Sequence, residues 1–204
     1  DHRDLHSFPT RRSSDLYILG LNGGGNTVSN LSSSLALHDV TEKHGGSYTA
    51  AAVGEVNVVK AMKETDAIIG GEGNGGVIFP RLHYGRDALV GIALFLSHLA
   101  KFGKPISQLK AKYPQYHISK NKMELTPDID MTSVLATLAE RYANQPVNTT
   151  DGVKISFDRE WVHLRKSNTE PIIRIISESN SRATAEHLAN KLITDIREII
   201  NTNH

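Results

Sequence analysis

The sequence predicts an α/β domain with a mostly parallel sheet, followed by a small α+β domain with an antiparallel sheet and two helices. Two observations carry this. From Asn26 to Phe102 short β-prone stretches alternate with helical ones, the order that builds a parallel layer flanked by helices. Beyond Pro114 the chain turns to extended segments with in-out alternation, framed by two amphipathic helices. The boundary is placed between residues 115 and 116, giving domains of 17–115 and 116–204, the first incomplete at its start.

In chain order, Asn26 to Leu31 is β-prone, and the serines Ser32 to Ser34 offer an N-cap for a helix running to His44, ended by Gly45 and Gly46. Tyr48 to Val53 reads as a second strand, and Gly54 opens a helix over Glu55 to Glu64. Ala67 to Ile69 is a third strand that runs into the glycine-rich stretch Gly70 to Gly76. The helix expected over Asp87 to Phe102 is apolar on most sides, which places it deep against the sheet, and Gly103 and Pro105 close it. A short helix over Ser107 to Tyr113 stops at Pro114.

In the second part, Tyr116 to Leu125 is extended and Asp128 to Tyr142 is an amphipathic helix with Ile129, Val134, Leu135, Leu138 and Tyr142 on one stripe. Asp151-Gly152 is a hairpin signal, after which Val153, Ile155 and Phe157 alternate with Lys154 and Ser156. Strands at Trp161 to Lys166 and Pro171 to Ser177 precede a last helix, Ser181 to Ile200, whose buried stripe is Ala185, Leu188, Ala189, Leu192, Ile196 and Ile199. The polar segment Asp1 to Leu16, DHRDLHSFPTRRSSDL, has neither period. It is similar to translated sequencing-adapter strings and is expected to be a non-native leader outside the fold. Gly20 and Gly23 to Gly25 are read as a linker, since no helix or lysine follows them.

Composition narrows the function classes. The 204 residues carry 23 basic and 22 acidic side chains, a formal charge of +1, so no global field draws nucleic acid or an anionic membrane. No interleaving of basic and aromatic residues suggests a nucleic-acid partner either. The longest apolar run, Ala88 to Leu96, is far short of the ~20 residues of a membrane helix. Cysteine is absent, which removes disulfides, thiolate metal sites and a cysteine nucleophile, and suits the cytoplasm as the expected location. The histidines show no metal-ligand spacing, and no metal is expected on this chain.

Two loops could carry chemistry. Gly70 to Gly76 (GGEGNGG) follows a strand and is neither a P-loop nor a dinucleotide fingerprint. Its glycines, Gly73 among them, let a ligand approach the backbone, and Glu72 and Asn74 offer an acceptor and a two-way amide suited to sugar hydroxyls. A flexible turn is the alternative. The second loop runs from Arg165 to Pro171 (RKSNTEP) between two strands. Arg165 can grip a phosphate through two parallel hydrogen bonds, with Ser167, Asn168, Thr169 and backbone N–H groups completing an anion nest. Here the alternative is a polar hairpin with one surface arginine.

The ordered pair GEGNGG and R-x-S-N-T-E-P, about ninety residues apart, resembles the α-D-phosphohexomutase superfamily, nearest to phosphoglucosamine mutases and phosphomannomutases. TVSNLSSSLAL, AAAVGEVNVVKAMKE and HYGRDALVGIALFL support the likeness, which covers about Asn26 to Ile200, the third and fourth of the family's four domains. The resemblance implies that Glu72, Gly73 and Asn74 face the sugar, with Glu55 as a weaker candidate contact. It implies that Arg165, Ser167, Asn168 and Thr169 hold the phosphate that is not being transferred. It further implies an isomerase that moves phosphate between C1 and C6 of a hexose, glucosamine phosphate first and mannose or glucose phosphate otherwise. That reaction runs through a phosphoserine and a bisphosphate intermediate and needs Mg2+.

The T-x-S-H-N-P serine loop and the D-G-D-x-D-R metal loop of that family do not occur here. Asp128 and Asp130 read instead as helix-capping residues. The chain is therefore expected to be an enzyme fragment, inactive alone, that keeps the substrate-binding half; a stand-alone sugar-phosphate binding module is the other reading.

Overall fold

The computed structural model describes residues 9–73, 76–126, 129–167 and 169–202. The chain divides into two compact units, the first ending at Gln115 and the second starting at Tyr116.

The first unit contains helix α1 (Pro9–Asn22), strand β1 (Thr27–Asn30), α2 (Leu35–Lys43), β2 (Tyr48–Ala51), α3 (Glu55–Glu64), β3 (Ile69–Gly71), β4 (Val77–Phe79), β5 (His83–Arg86), α4 (Ala88–Phe102) and α5 (Ile106–Lys110). Its sheet has the order β2-β1-β3-β4-β5; β1 pairs in parallel with β2 and β3, and the β3-β4-β5 side is antiparallel. The apolar positions divide by face. Val28, Ile78 and Ala51 pack with Val58 and Met62 of α3, while Ile69 and Val77 pack with Ile18 of α1 and Leu94 of α4. Ser34 caps α2 by accepting from the Ala36 N–H at 3.2 Å, as the serine cluster predicts.

Three expectations need correction here. Residues 9–16 were expected outside the fold, but they lie within α1, and Ser14 and Asp15 are buried. Ser14 donates from Oγ to the Gly91 carbonyl of α4 at 3.1 Å. Ser14 and Asp15 share burial with Ile18 and Leu19, and two polar residues in the buried set obscure any apolar period. The glycines read as a linker instead end α1 and turn the chain into β1. Gly24 donates to the Leu19 carbonyl at 2.9 Å and takes a φ of 120°, where a Cβ would overlap the His44 carbonyl oxygen. Finally, α4 is not buried on most sides. Only Gly91 and Phe95 are fully enclosed, while Leu89 is 77% exposed. Its main contacts are with α1, β4 and α5, and Leu89, Ile92 and Leu96 are exposed.

The second unit contains β6 (His117–Glu124), α6 (Met131–Arg141), β7 (Val147–Asn148), β8 (Val153–Ser156), β9 (Trp161–Lys166), β10 (Ile172–Ser179) and α7 (Arg182–Thr202). Its sheet is antiparallel throughout, in the order β6-β10-β9-β8-β7. Val153, Ile155, Val162, Leu164, Ile173 and Ile175 form one apolar face, covered by Val134 and Leu138 of α6 and by the Leu188, Leu192, Ile196 and Ile199 stripe of α7. Asp130 caps α6 by accepting from the Thr132 N–H at 3.0 Å; Asp128 lies outside the described residues. Between β7 and β8, Gly152 has a φ of 74°. A Cβ there would overlap the Leu164 carbonyl oxygen, so the turn demands glycine. No helix among the described residues is long and apolar enough to cross a membrane.

Candidate functional site

In open α/β sheets the crevice at the carboxyl ends of the strands, where the strand order reverses, is the natural ligand position. Strand β1 is the reversal point here, with β2 on one side and β3 on the other. The residues that end or follow β1, β2 and β3 meet there. Glu72, just past β3, is 6% exposed. Its Oε1 accepts from Asn30 Nδ2 and from the Gly54 N–H, both at 3.0 Å, and its Oε2 accepts from Arg86 Nη1 at 3.1 Å. Ser33 in turn donates to Asn30 Oδ1 at 2.8 Å, which fixes the amide so that its NH2 faces Glu72.

Glu55, at the start of α3, accepts twice from Arg86: from the backbone N–H at 3.0 Å and from Nε at 2.8 Å. The Arg86 N–H and then its guanidinium hold the Glu55 carboxyl below the usual range. Glu55, Arg86 and Glu72 therefore form one chain of charge-assisted bonds. Gly73 lies beside this cluster, where a Cβ would touch the Ser32 carbonyl oxygen and Ser33 Oγ at 3.4 Å. Asn74 lies outside the described residues.

The second predicted loop follows β9. Arg165, the next-to-last residue of that strand, donates from Nε to Asp151 Oδ1 at 2.8 Å across the sheet. Asp151 belongs to the turn that Gly152 makes possible. Ser167 is 5% exposed, and its N–H donates to the Ile172 carbonyl at 2.9 Å, closing the base of the loop. The Thr169 N–H donates to Ser167 Oγ at 3.4 Å, so the two hydroxyls and the loop backbone lie together. Glu170 pairs with Arg174 at 3.2 Å. Asn168 lies outside the described residues.

Thus Glu55 and Glu72 share one cluster, and Arg165, Ser167 and Thr169 share one loop. Three participants were not singled out by the sequence reading: Asn30, Arg86 and Asp151. None of the three carried a local signal, since each acquires its partner only through the fold.

Comparison with known proteins bears on the family and the fold. Residues 15–116 match the family described as phosphoglucomutase/phosphomannomutase, alpha/beta/alpha domain III, and residues 122–194 match its C-terminal domain. The chain belongs to the phosphoglucomutase/phosphomannomutase family. A phosphoglucomutase/phosphomannomutase of Thermococcus kodakarensis is 40% identical over 169 residues, covering 82% of this chain and 37% of that protein. A phosphoglucosamine/phosphogalactosamine mutase of Sulfurisphaera tokodaii is 32% identical over 175 residues, covering 85% of this chain and 38% of that protein.

Among solved structures, a phosphoglucomutase/phosphomannomutase family protein of Burkholderia thailandensis has the same fold, with a TM-score of 0.78 at 22% identity over 94% of this chain and 42% of that one. An N-acetylphosphoglucosamine mutase of Aspergillus fumigatus, solved with GlcNAc-6P and magnesium, gives a TM-score of 0.64 at 15% identity over 93% of this chain and 43% of that one. The chain thus spans about two fifths of the length of the curated relatives it matches.

Magnesium asks for a cluster of oxygen ligands, mostly carboxylates. Among the described residues no group of three or more His, Cys, Asp or Glu could hold a metal ion. Glu55 and Glu72 are committed to Arg86 instead. The residues described do not fit that ion.

Proposed function

We propose that this chain is the substrate-holding part of a phosphohexomutase, an isomerase that moves a phosphoryl group between C1 and C6 of a hexose phosphate. Glu72 is the observation that carries the reading. It is a buried carboxylate at the strand ends of an α/β sheet, oriented by Asn30, Gly54 and Arg86, with an edge left for a hydroxyl donor. Glu55, Gly73 and Asn74 complete the sugar-facing surface. Arg165, Ser167, Asn168 and Thr169 take the phosphate that stays in place, and the ligand is a hexose phosphate rather than a nucleic acid or a membrane. The phosphorylated serine and the Mg2+ site belong to the remaining length of the full protein, so this chain alone supplies positioning without chemistry.

Glucosamine phosphate is the first choice of sugar. A second choice has its own support, because the Thermococcus kodakarensis relative, at 40% identity, is named for glucose and mannose phosphates. The test is a coupled mutase assay on the purified chain, then on the chain joined to the remaining portion of that relative. We expect no turnover from the chain alone and Mg2+-dependent turnover from the joined protein. Turnover by the chain alone overturns the reading, as does a folded but inert joined protein.

A further inference from the structure

A carboxylate offers about four acceptor positions, two on each oxygen. For Glu72 both positions on Oε1 are taken, by Asn30 Nδ2 and the Gly54 N–H, and one on Oε2 is taken by Arg86 Nη1. Among the described residues the vacancy is therefore on Oε2, beside the Arg86 guanidinium. Arg86 spends Nε–H on Glu55 and one Nη1–H on Glu72, and its remaining N–H donors make no hydrogen bond among the described residues. The guanidinium side chain is 41% exposed. Its position is set from below by Gly76, where a Cβ would come within 2.5 Å of Arg86 Cδ. An open acceptor and open donors thus stand side by side on two neighbouring residues that hold each other in place.

From this the geometry points to Arg86 as a further sugar-binding residue, one that with Glu72 reads a single hydroxyl and rejects an amino group at the same position. A hydroxyl donates to Glu72 Oε2 while accepting from Arg86. A protonated amine can satisfy Glu72 but has no lone pair for Arg86, and it brings two cations together in a site whose second carboxylate, Glu55, is already bound to that arginine. A hydrogen in place of the hydroxyl leaves both partners unmet. If the full enzyme takes an amino sugar, its amine sits away from this pair. The inference rests on the proposed hexose phosphate site and sharpens its specificity.

The test uses the isotopically labelled 204-residue chain. Glucose 6-phosphate is titrated while the Glu72 and Thr169 amides and the Arg86 Nε–H are followed by NMR. The same titration is then run with analogues in which each ring hydroxyl in turn becomes hydrogen or amine. Glucose 6-phosphate is expected to move all three signals. At one ring position both replacements should weaken binding about tenfold, with the amine no better than hydrogen, and the Arg86 response should vanish. Arg86→Gln should remove that discrimination, and Gly76→Ala, which displaces the arginine stem without removing its charge, should reduce it. A Glu72 response without any Arg86 response overturns this inference alone, as does an amine accepted better than hydrogen at the position that silences Arg86. If neither Glu72 nor Thr169 responds to any hexose phosphate, the proposed function fails and this inference fails with it.

Discussion

Glu72 and Arg165 are the charged centres of the two loops, and the protein holds them in opposite ways. Glu72 is nearly enclosed and accepts from three donors supplied by three different segments, the end of β1, the start of α3 and the end of β5. Arg165 is tied at one point, through Nε to Asp151, and the other N–H groups of its fork make no hydrogen bond among the described residues. A carboxylate that must receive a directed hydroxyl gains from a fixed orientation, since misalignment of the sugar penalises the transition state most. A guanidinium that must grip a phosphate gains from keeping its planar end open. One site is built on burial and three fixed donors around one open acceptor position, the other on a single tether and an open fork.

That contrast can be broken most forcefully at the tether. Gly152→Ala places a side chain in a left-handed turn and against the Leu164 carbonyl, and should cost about 2–4 kcal/mol. The one tryptophan, Trp161, is fully buried in β9, so its fluorescence in a urea titration reports the second unit directly. The unfolding midpoint should fall clearly; an unchanged midpoint would mean that the turn holding Asp151 tolerates a side chain.

A smaller effect separates the two charged residues themselves. Glu72→Ala strips the acceptor from Asn30, Gly54 and Arg86 at a buried position, and should cost about 1–3 kcal/mol. Arg165→Ala removes one partly exposed pair and should cost under about 1 kcal/mol. Hydrogen exchange of β1 and β3 amides for the first variant, and Trp161 fluorescence for the second, would show it. Equal costs would erase the distinction between a carboxylate held by three donors and an arginine held by one acceptor.

The smallest effect is a titration. The Glu55 carboxyl lies below its ordinary value of 4.5 because of Arg86. For a carboxyl depressed on folding, the contribution is present above the unfolded value and is lost as the pH falls through the folded one. The Glu55–Arg86 link should therefore be complete above about pH 4.5 and open only in more acidic solution. Carboxyl-carbon NMR should give Glu55 a midpoint below 4.5 that returns toward the ordinary value in Arg86→Gln. The return should be partial, because the substitution keeps the backbone N–H that is the larger cause, and a midpoint that does not move would remove the guanidinium as a contributor.

The two units also differ in how much of them the sequence revealed. In the second, strand alternation and the α7 stripe from Ala185 to Ile199 map directly onto one continuous core, because one sheet face meets the apolar sides of α6 and α7 there. In the first, α2 and its Ser34 cap were legible, since capping is a local matter of one side chain and one N–H. What was hidden depends on partners distant in sequence. The inward side of α1 includes Ser14 and Asp15, and their burial follows from contacts that no local period encodes. The apolar run of α4 suggested burial, yet only one side of it meets the rest of the unit. The β4–β5 hairpin is too short to show a period. Glu72 and Arg165 stood out as charges in glycine-rich or small polar loops, whereas Asn30, Arg86 and Asp151 gain meaning only when the fold joins them to those charges across 42, 14 and 14 residues of chain.

The measurement that bears most directly on a sugar-phosphate site is the response of the Arg165 loop to phosphate itself. With inorganic phosphate or a hexose phosphate at millimolar concentration, the Ser167 and Thr169 amides should shift selectively, with a dissociation constant on the order of millimolar. Unphosphorylated glucose should leave them still. High salt should weaken the shift, and Arg165→Ala should abolish it while the Trp161 unfolding midpoint falls by no more than a loss of about 1 kcal/mol would give. Equal shifts with glucose, shifts that survive Arg165→Ala, or no response in this loop would contradict the account and leave the segment a polar hairpin.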